Sequence, residues 1–174
     1  MIMTPEQFLE TQTFDDVYLD SQADPYKDSV FQDFKRLSSK KKGKFIEKLV
    51  KEYEESLGNK TEPKCNSYDH DLLVDRGDGL RKKEIKGSFL WGDGTNFRWQ
   101  QIRVDQDYDE IIFVAIYPDR IEFYEATKAE VLAFVDIQDE DGNWPYNQHG
   151  GKTKRSGTFY IDGFPQDFPF MKPY

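Results

Sequence analysis

Residues 71–91 read "DLLVDRGDGLRKKEIKGSFLW", and this stretch decides the fold. Two apolar segments flank "RGDG", a sequence typical of a tight turn, so the stretch predicts a β-hairpin. On the second strand, Glu84 and Lys86 are two residues apart and therefore point to the same face. The hairpin also brings Asp71 near Glu84. Three charged side chains are therefore expected to converge at one end of two strands.

A helix is expected immediately before this hairpin, over residues 44–57. Ser38 or Ser39 is placed to cap its start, and Gly58 followed by Asn59 gives a stop signal. The helix carries Glu47, and a shorter helical pattern, "SVFQDFKRL", precedes it. Its apolar residues recur at helical spacing and predict one buried face: Phe45, Ile46, Leu49, Val50, Tyr53 and Leu57.

After the hairpin, the pattern alternates between helices and strands. "NFRWQQIRV" predicts a short helix capped by Thr95 or Asn96, and "EIIFVAIY" predicts a strand buried on both faces. "RIEFYEA" alternates like a strand, "TKAEVLAFVDIQ" predicts a helix capped by Thr127, and "GTFYIDGF" is a candidate late strand. The order indicates an α/β (α+β) sandwich with a central mixed β-sheet flanked by helices.

The length of 174 residues favours a single domain over 1–174. We divide it into an acidic arm at 1–38, a core at 40–135, and an extension rich in glycine, proline and aromatic residues at 139–174. With one cysteine and two histidines, a disulfide framework and a cysteine-based zinc site are excluded. Neither a secretory signal nor a long apolar run is evident, so we expect a soluble, cytoplasmic protein with no membrane segment.

The net charge of −9 argues against nucleic acid as a partner, but the charges are segregated. Residues 35–51 carry eight lysines and arginines against one acid, Glu47. These positive charges indicate a basic working face, although a solvated helix surface would look the same.

Two carboxylates beside a lysine suit a particular chemistry. Mg²⁺ prefers oxygen ligands and commonly takes one or two carboxylates while keeping several waters. Such a metal polarises a phosphate and activates water, and a neighbouring lysine stabilises the charge that develops. The alternative is that Glu84 and Lys86 form a loose ion pair on an exposed sheet face.

In sequence, "HDLLVD…KKEIKGS" resembles the signature of the PD-(D/E)xK nuclease superfamily, which includes type II restriction endonucleases. "KKGKFIEKLVKEYEESLG" is similar to the helix that opens this fold, and "EIIFVAIYPDRIEFYEATKAEV" is similar to its later core. The resemblance covers about residues 40–135. In one respect the sequence departs from the motif, because His70 stands where the motif has proline.

The resemblance implies a role for each matching residue. Asp71, Glu84 and the Ile85 carbonyl would bind Mg²⁺, for which Mn²⁺ can substitute. Lys86 would orient or activate the attacking water, and Glu47 would contact water at the metal. Asp69 and Asp75 are rivals for the position of Asp71, but Asp75 lies at the turn and is expected to be a cap or a surface residue.

Further residues are candidates for binding DNA or supporting the reaction. Gln101 follows the motif in "FRWQQIR", where some members of this superfamily place a glutamine; a surface position is the alternative. Trp91, Phe97 and Trp99 are expected in the core, with a base-stacking surface as the alternative. The loop 149–159 either contacts DNA or is a surface loop. The predicted DNA contacts are Arg98, Arg103, Lys152, Lys154 and Arg155.

The expected function is therefore a Mg²⁺-dependent endodeoxyribonuclease, most similar to a type II restriction enzyme. Its partner would be double-stranded DNA, and a palindromic target would require a homodimer. Two alternatives remain open: a non-catalytic protein-interaction module with a nuclease-like fold, and a nicking repair nuclease or resolvase.

Overall fold

The computed structural model describes residues 24–63, 70–91, 94–136, 140, 141, 146–148 and 159–174. Three α-helices lie in these ranges: α1 (Gln32–Arg36), α2 (Ser39–Ser56) and α3 (Lys128–Val135). A 3₁₀ turn covers Pro165–Asp167. The strands are β1 (Lys60–Pro63), β2 (Leu72–Asp75), β3 (Leu80–Trp91), β4 (Asn96–Ile102), β5 (Glu110–Ile116), β6 (Ile121–Thr127), β7 (Asn147–Gln148), β8 (Phe159–Gly163) and β9 (Lys172–Pro173).

Strand β3 is the centre of a mixed sheet. The strand order is β7-β8-β4-β3-β5-β6-β9, and β2 joins β1 to β3 beside this path. β3 and β5 are parallel, whereas β3 is antiparallel to both β2 and β4. The chain therefore has the predicted α/β architecture, with a mixed sheet and few helices.

The two faces of the central sheet are covered differently. On one face lies α2, where Tyr53 stacks on Phe123 of β6 with ring centroids 4.6 Å apart. On the other face, an aromatic cluster joins β4, β5, α3 and the C-terminal segment; its members are Trp99, Phe113, Phe134, Phe168 and Phe170. The residues of β5 from Ile111 to Ile116 are all buried, as the apolar run predicted.

Local signals in the sequence set the ends of two helices. Ser38 caps α2 by accepting a hydrogen bond from the backbone N–H of Lys41. Gly58 follows the helix with φ +87°, a conformation that glycine adopts without strain. Thr127 and Glu130 form a reciprocal capping box at the start of α3. Leu57, predicted to lie on the buried face, is exposed.

The predicted helix over "NFRWQQIRV" is wrong, because this segment forms strand β4. Phe97 and Trp99 alternate with more exposed residues and are both fully buried. The alternation has period two and places both rings in the core, and this packing outweighs the helix-capping pattern at Thr95 and Asn96.

Strand β3 carries a buried lysine on the face that α2 covers. Lys83 is 1% exposed and is paired with Glu110 of β5 and Glu125 of β6. Arg76 links Glu125 to the fully buried Glu54 of α2, at 3.0 Å and 2.9 Å respectively. The network therefore joins the helix, the β2–β3 turn and three strands of the sheet. Within the part of the chain that the structure describes, no helix has the length and hydropathy of a membrane span.

We predict that Lys83→Ala lowers the free energy of unfolding by about 3–5 kcal/mol, because it removes the buried cation that Glu110 and Glu125 share and leaves Glu125 with Arg76. Chemical denaturation followed by circular dichroism measures this change. Lys82→Ala is the matched control, since its side chain is exposed and pairs with the exposed Asp107. The control should lose at most about 1 kcal/mol. Equal losses in the two variants would contradict the structural role of Lys83.

Candidate active site

The candidate site is a cluster of three residues at the end of the pairing between β2 and β3: Asp71, Glu84 and Lys86. The register pairs Leu72 with Lys83, and one further step places Asp71 opposite Glu84. Asp71 Oδ2 accepts a hydrogen bond of 2.9 Å from the backbone N–H of Ile85. Lys86 Nζ lies 2.6 Å from Glu84 Oε1. The three residues named from the sequence therefore form one cluster.

A fork in the sheet makes room for these charges on a central strand. One edge of β3 pairs with β5 from Lys83 to Phe89. On the other edge, β2 pairs with β3 only as far as Lys83. The pairing of β4 with β3 involves only Leu90 and Trp91 of β3. Among the described strands, none pairs with residues 84–89 on that edge. The backbone edge of β3 at the candidate site is therefore open at the fork.

A cavity of about 730 Å³ opens along this fork. Ile85 and Lys86 line it from β3, Glu47 lines it from α2, and Gln100 and Gln101 line it from β4. Asp71 and Glu84 do not line it. Asp71 is linked to the cavity through its hydrogen bond with the Ile85 amide, and Glu84 is linked to it through its ion pair with Lys86. Lys86 is therefore the first member of the cluster that a substrate in the cavity would meet.

A bulge in β4 brings both glutamines to the cavity. The pairing with β8 shifts by one residue between Trp99 and Ile102, and Gln101 has φ +56°. The extra residue breaks the alternation of the strand, so consecutive side chains lie on the same side. Gln101 thus lines the same cavity as Lys86, but it is exposed and lies on a strand and not on a helix.

Burial shapes the electrostatics of the cluster. Glu84 is 4% exposed, so its carboxylate interacts with Lys86 in a region that holds little water. Burial, with a smaller contribution from the charge of Glu84, raises the pKa of Tyr108. The Tyr108 hydroxyl is buried and has no hydrogen-bond partner among the described residues. Tyr108 is thus a neutral phenol near the cluster at physiological pH.

Lys42 is a cavity residue that sequence reasoning missed. It lines the cavity from the first turns of α2 and donates a 3.3 Å hydrogen bond to the backbone carbonyl of Lys35. Burial and the nearby charge of Lys35 lower the pKa of Lys42. An anion in the cavity would offset both effects and favour the charged ammonium. Only the basic composition of residues 35–51 hinted at this role.

The donor set at the cluster fits a hard divalent cation. The available ligands are oxygens: the carboxylates of Asp71 and Glu84 and the carbonyl of Ile85. Within the described residues there is no group of three or more His, Cys, Asp and Glu side chains that could hold a metal. Two carboxylates and a carbonyl nevertheless match the needs of Mg²⁺, which keeps several waters. They do not match the nitrogen and sulfur ligands that zinc prefers.

The remaining predicted residues have mixed outcomes. Arg98 lines the cavity but is bound to Asp162, and Arg103 is exposed just after β4; neither lies on a helix. Asp75 accepts hydrogen bonds from the backbone N–H groups of Gly77 and Gly79, so it caps the turn as expected. Outside the described residues lie Asp69, Lys152, Lys154, Arg155 and most of the acidic arm.

Comparison with known proteins identifies the fold. No protein-family model matches the chain, and no curated protein matches it. Among solved structures, the bacterial homing endonuclease I-Ssp6803I matches 78% of this chain and 87% of its own, with a TM-score of 0.51 and 16% sequence identity. The chain therefore has a nuclease-like fold.

Close packing of α2 on β3 holds Glu47 at the wall of the cavity that Lys86 also lines. A Cβ atom at Gly87 would lie 2.2 Å from Ile46 Cδ1 and 3.1 Å from Ile46 Cγ1, so only glycine allows this approach.

We predict that Gly87→Ala lowers the free energy of unfolding by about 1–3 kcal/mol through overpacking. Chemical denaturation measures the loss. Ile46→Val removes the nearest atom, so the double variant should recover part of it; additive losses would contradict this contact.

Proposed function

We propose that this protein is a metal-dependent endodeoxyribonuclease whose active site is Asp71, Glu84 and Lys86. One observation carries the proposal: two carboxylates and a lysine converge at a fork in the central strand of a nuclease-like fold. A structural ion pair on a central strand does not need an open strand edge. Hydrolysis of a backbone phosphate needs such an opening, since the substrate has to reach the lysine.

Each residue of the cluster has a distinct part in this proposal. Asp71, Glu84 and the Ile85 carbonyl would hold Mg²⁺ or Mn²⁺. When bound, the metal supplies Lewis-acid polarisation of the phosphate and activation of water. The Lys86 ammonium, held by Glu84 at 2.6 Å, orients the attacking water or stabilises the negative charge that develops on the phosphate. Glu47 and Gln101 would position water from the opposite sides of the cavity.

The charge of the cavity differs from that of the whole chain. Four cationic side chains line it, Lys35, Lys42, Lys86 and Arg98, against the carboxylates Asp24 and Glu47. The first turn of α2, at the positive end of an 18-residue helix, also borders it through Ser39. Three of these cations are held in ion pairs, Lys35 with Asp24, Lys86 with Glu84 and Arg98 with Asp162. The support for an anionic substrate therefore comes mainly from Lys42 and the start of α2, in a chain whose net charge is −9.

The biological role is a finer part of the same proposal. We favour cleavage of a short DNA sequence by a homodimer in the cytoplasm, in the manner of a type II restriction endonuclease. A second candidate is a homing endonuclease, because the structural neighbour carries that name. An adjacent methyltransferase gene would favour restriction. Arg103, Lys152, Lys154 and Arg155 remain predicted DNA contacts.

We predict that the wild-type protein cleaves plasmid DNA with Mg²⁺ and that Lys86→Ala reduces the rate by about 10²–10³-fold, because the charge at the reacting phosphate loses its stabilising cation. Glu84→Gln should have a comparable effect. Gel analysis of supercoiled, nicked and linear forms over time measures both.

Lys82→Ala is the control for this experiment, since it removes a lysine from the same strand outside the cavity. It should cleave like the wild type. Cleavage at the wild-type rate by both Lys86→Ala and Glu84→Gln would contradict the assignment of the site. A nicked product without linear DNA would favour the repair nuclease or resolvase, and no cleavage together with no metal binding would favour the interaction module.

A further inference from the structure

Trp91 is an exposed aromatic side chain at the cavity. It lines the same cavity as Lys86 and is 53% exposed. We expected it in the core with Phe97 and Trp99, but only those two rings are buried. Single exposed apolar side chains are common on protein surfaces, so the exposure of Trp91 does not by itself indicate a binding role. A binding role is indicated instead by the position of Trp91 beside the candidate site and by the fixed groups that contact its ring.

A rigid group supports the Trp91 ring. The Arg98 guanidinium carbon lies 4.8 Å from the centroid of the Trp91 ring and 5.0 Å from that of Tyr160. Asp162 holds this guanidinium with two hydrogen bonds, from Arg98 Nε at 2.6 Å and from Nη2 at 3.0 Å. A two-point ion pair fixes the plane of the guanidinium. Arg98 is therefore a support for two aromatic rings, and its charge is balanced by Asp162.

We propose that Trp91 stacks on a DNA base that has left the duplex stack beside the bound strand; this inference rests on the proposed function. Base–aromatic stacking requires a free base face, which an intact duplex does not offer. Such stacking does not depend on which base is present. Trp91 is five residues beyond Lys86 on β3, or about 16 Å along the strand. That span is about five base-pair steps of DNA, so the stacked base would flank the scissile phosphate.

Binding without cleavage tests this inference. Fluorescence anisotropy in EDTA measures the affinity for a labelled oligothymidylate and for a fully paired duplex. Trp91→Ala should weaken oligothymidylate binding by roughly 5- to 100-fold, whereas Trp91→Phe should retain most of the affinity. The dependence of affinity on salt should stay the same in Trp91→Ala, because no phosphate contact is lost.

Two further variants keep the test specific. Leu80→Ala is a matched control, because Leu80 lies on the same strand outside the cavity and is 54% exposed; it should bind like the wild type. Trp91→Leu keeps an apolar side chain but no ring, and should bind as weakly as Trp91→Ala. Wild-type affinity in Trp91→Ala or Trp91→Leu would overturn the inference and leave the proposed function standing. Absence of any DNA binding by the wild type would overturn both.

Discussion

The structure depends on the burial of opposite charges on the two faces of β3. Lys83 is buried against Glu110 and Glu125 on one face, and Glu84 is buried with Lys86 on the other. A slip of one residue would move the lysine to the face of the glutamate and leave both groups without partners. Unpaired buried charges cost several kcal/mol each, so the register of the central strand is strongly determined.

This register links stability to the candidate site. Because Lys83 fixes which face Glu84 occupies, the carboxylate lies opposite Asp71 and beside Lys86. The fork between β2 and β4 then leaves the site open, and the bulge at Gln101 brings side chains from β4 to the far wall of the cavity. Gly87 allows α2 to approach from the other side. Stability and access are therefore supplied by different parts of the same strand.

The sequence predicted the features that depend on local signals. The hairpin turn, strand β3, the cap of α3 and the buried β5 follow from turn residues, capping residues and hydrophobic periodicity. It also predicted the cluster, because two residues on one strand and one across a turn need no long-range information. The predicted helix at β4 was wrong. Thr95 and Asn96 resemble helix caps, whereas the alternation of Phe97 and Trp99 indicates the strand that forms. The pairing of Arg98 with Asp162 was not predictable, since it joins residues 64 apart in the sequence.

Metal binding by the cluster is the central claim, and titration calorimetry with Mn²⁺ tests it most directly. We predict that the wild type binds the ion and that Glu84→Gln raises the dissociation constant at least about tenfold. Glu122→Gln, which changes a half-buried β6 carboxylate paired with Arg120, should match the wild type. Equal affinity in the wild type and Glu84→Gln, or no binding by the wild type, would contradict the account.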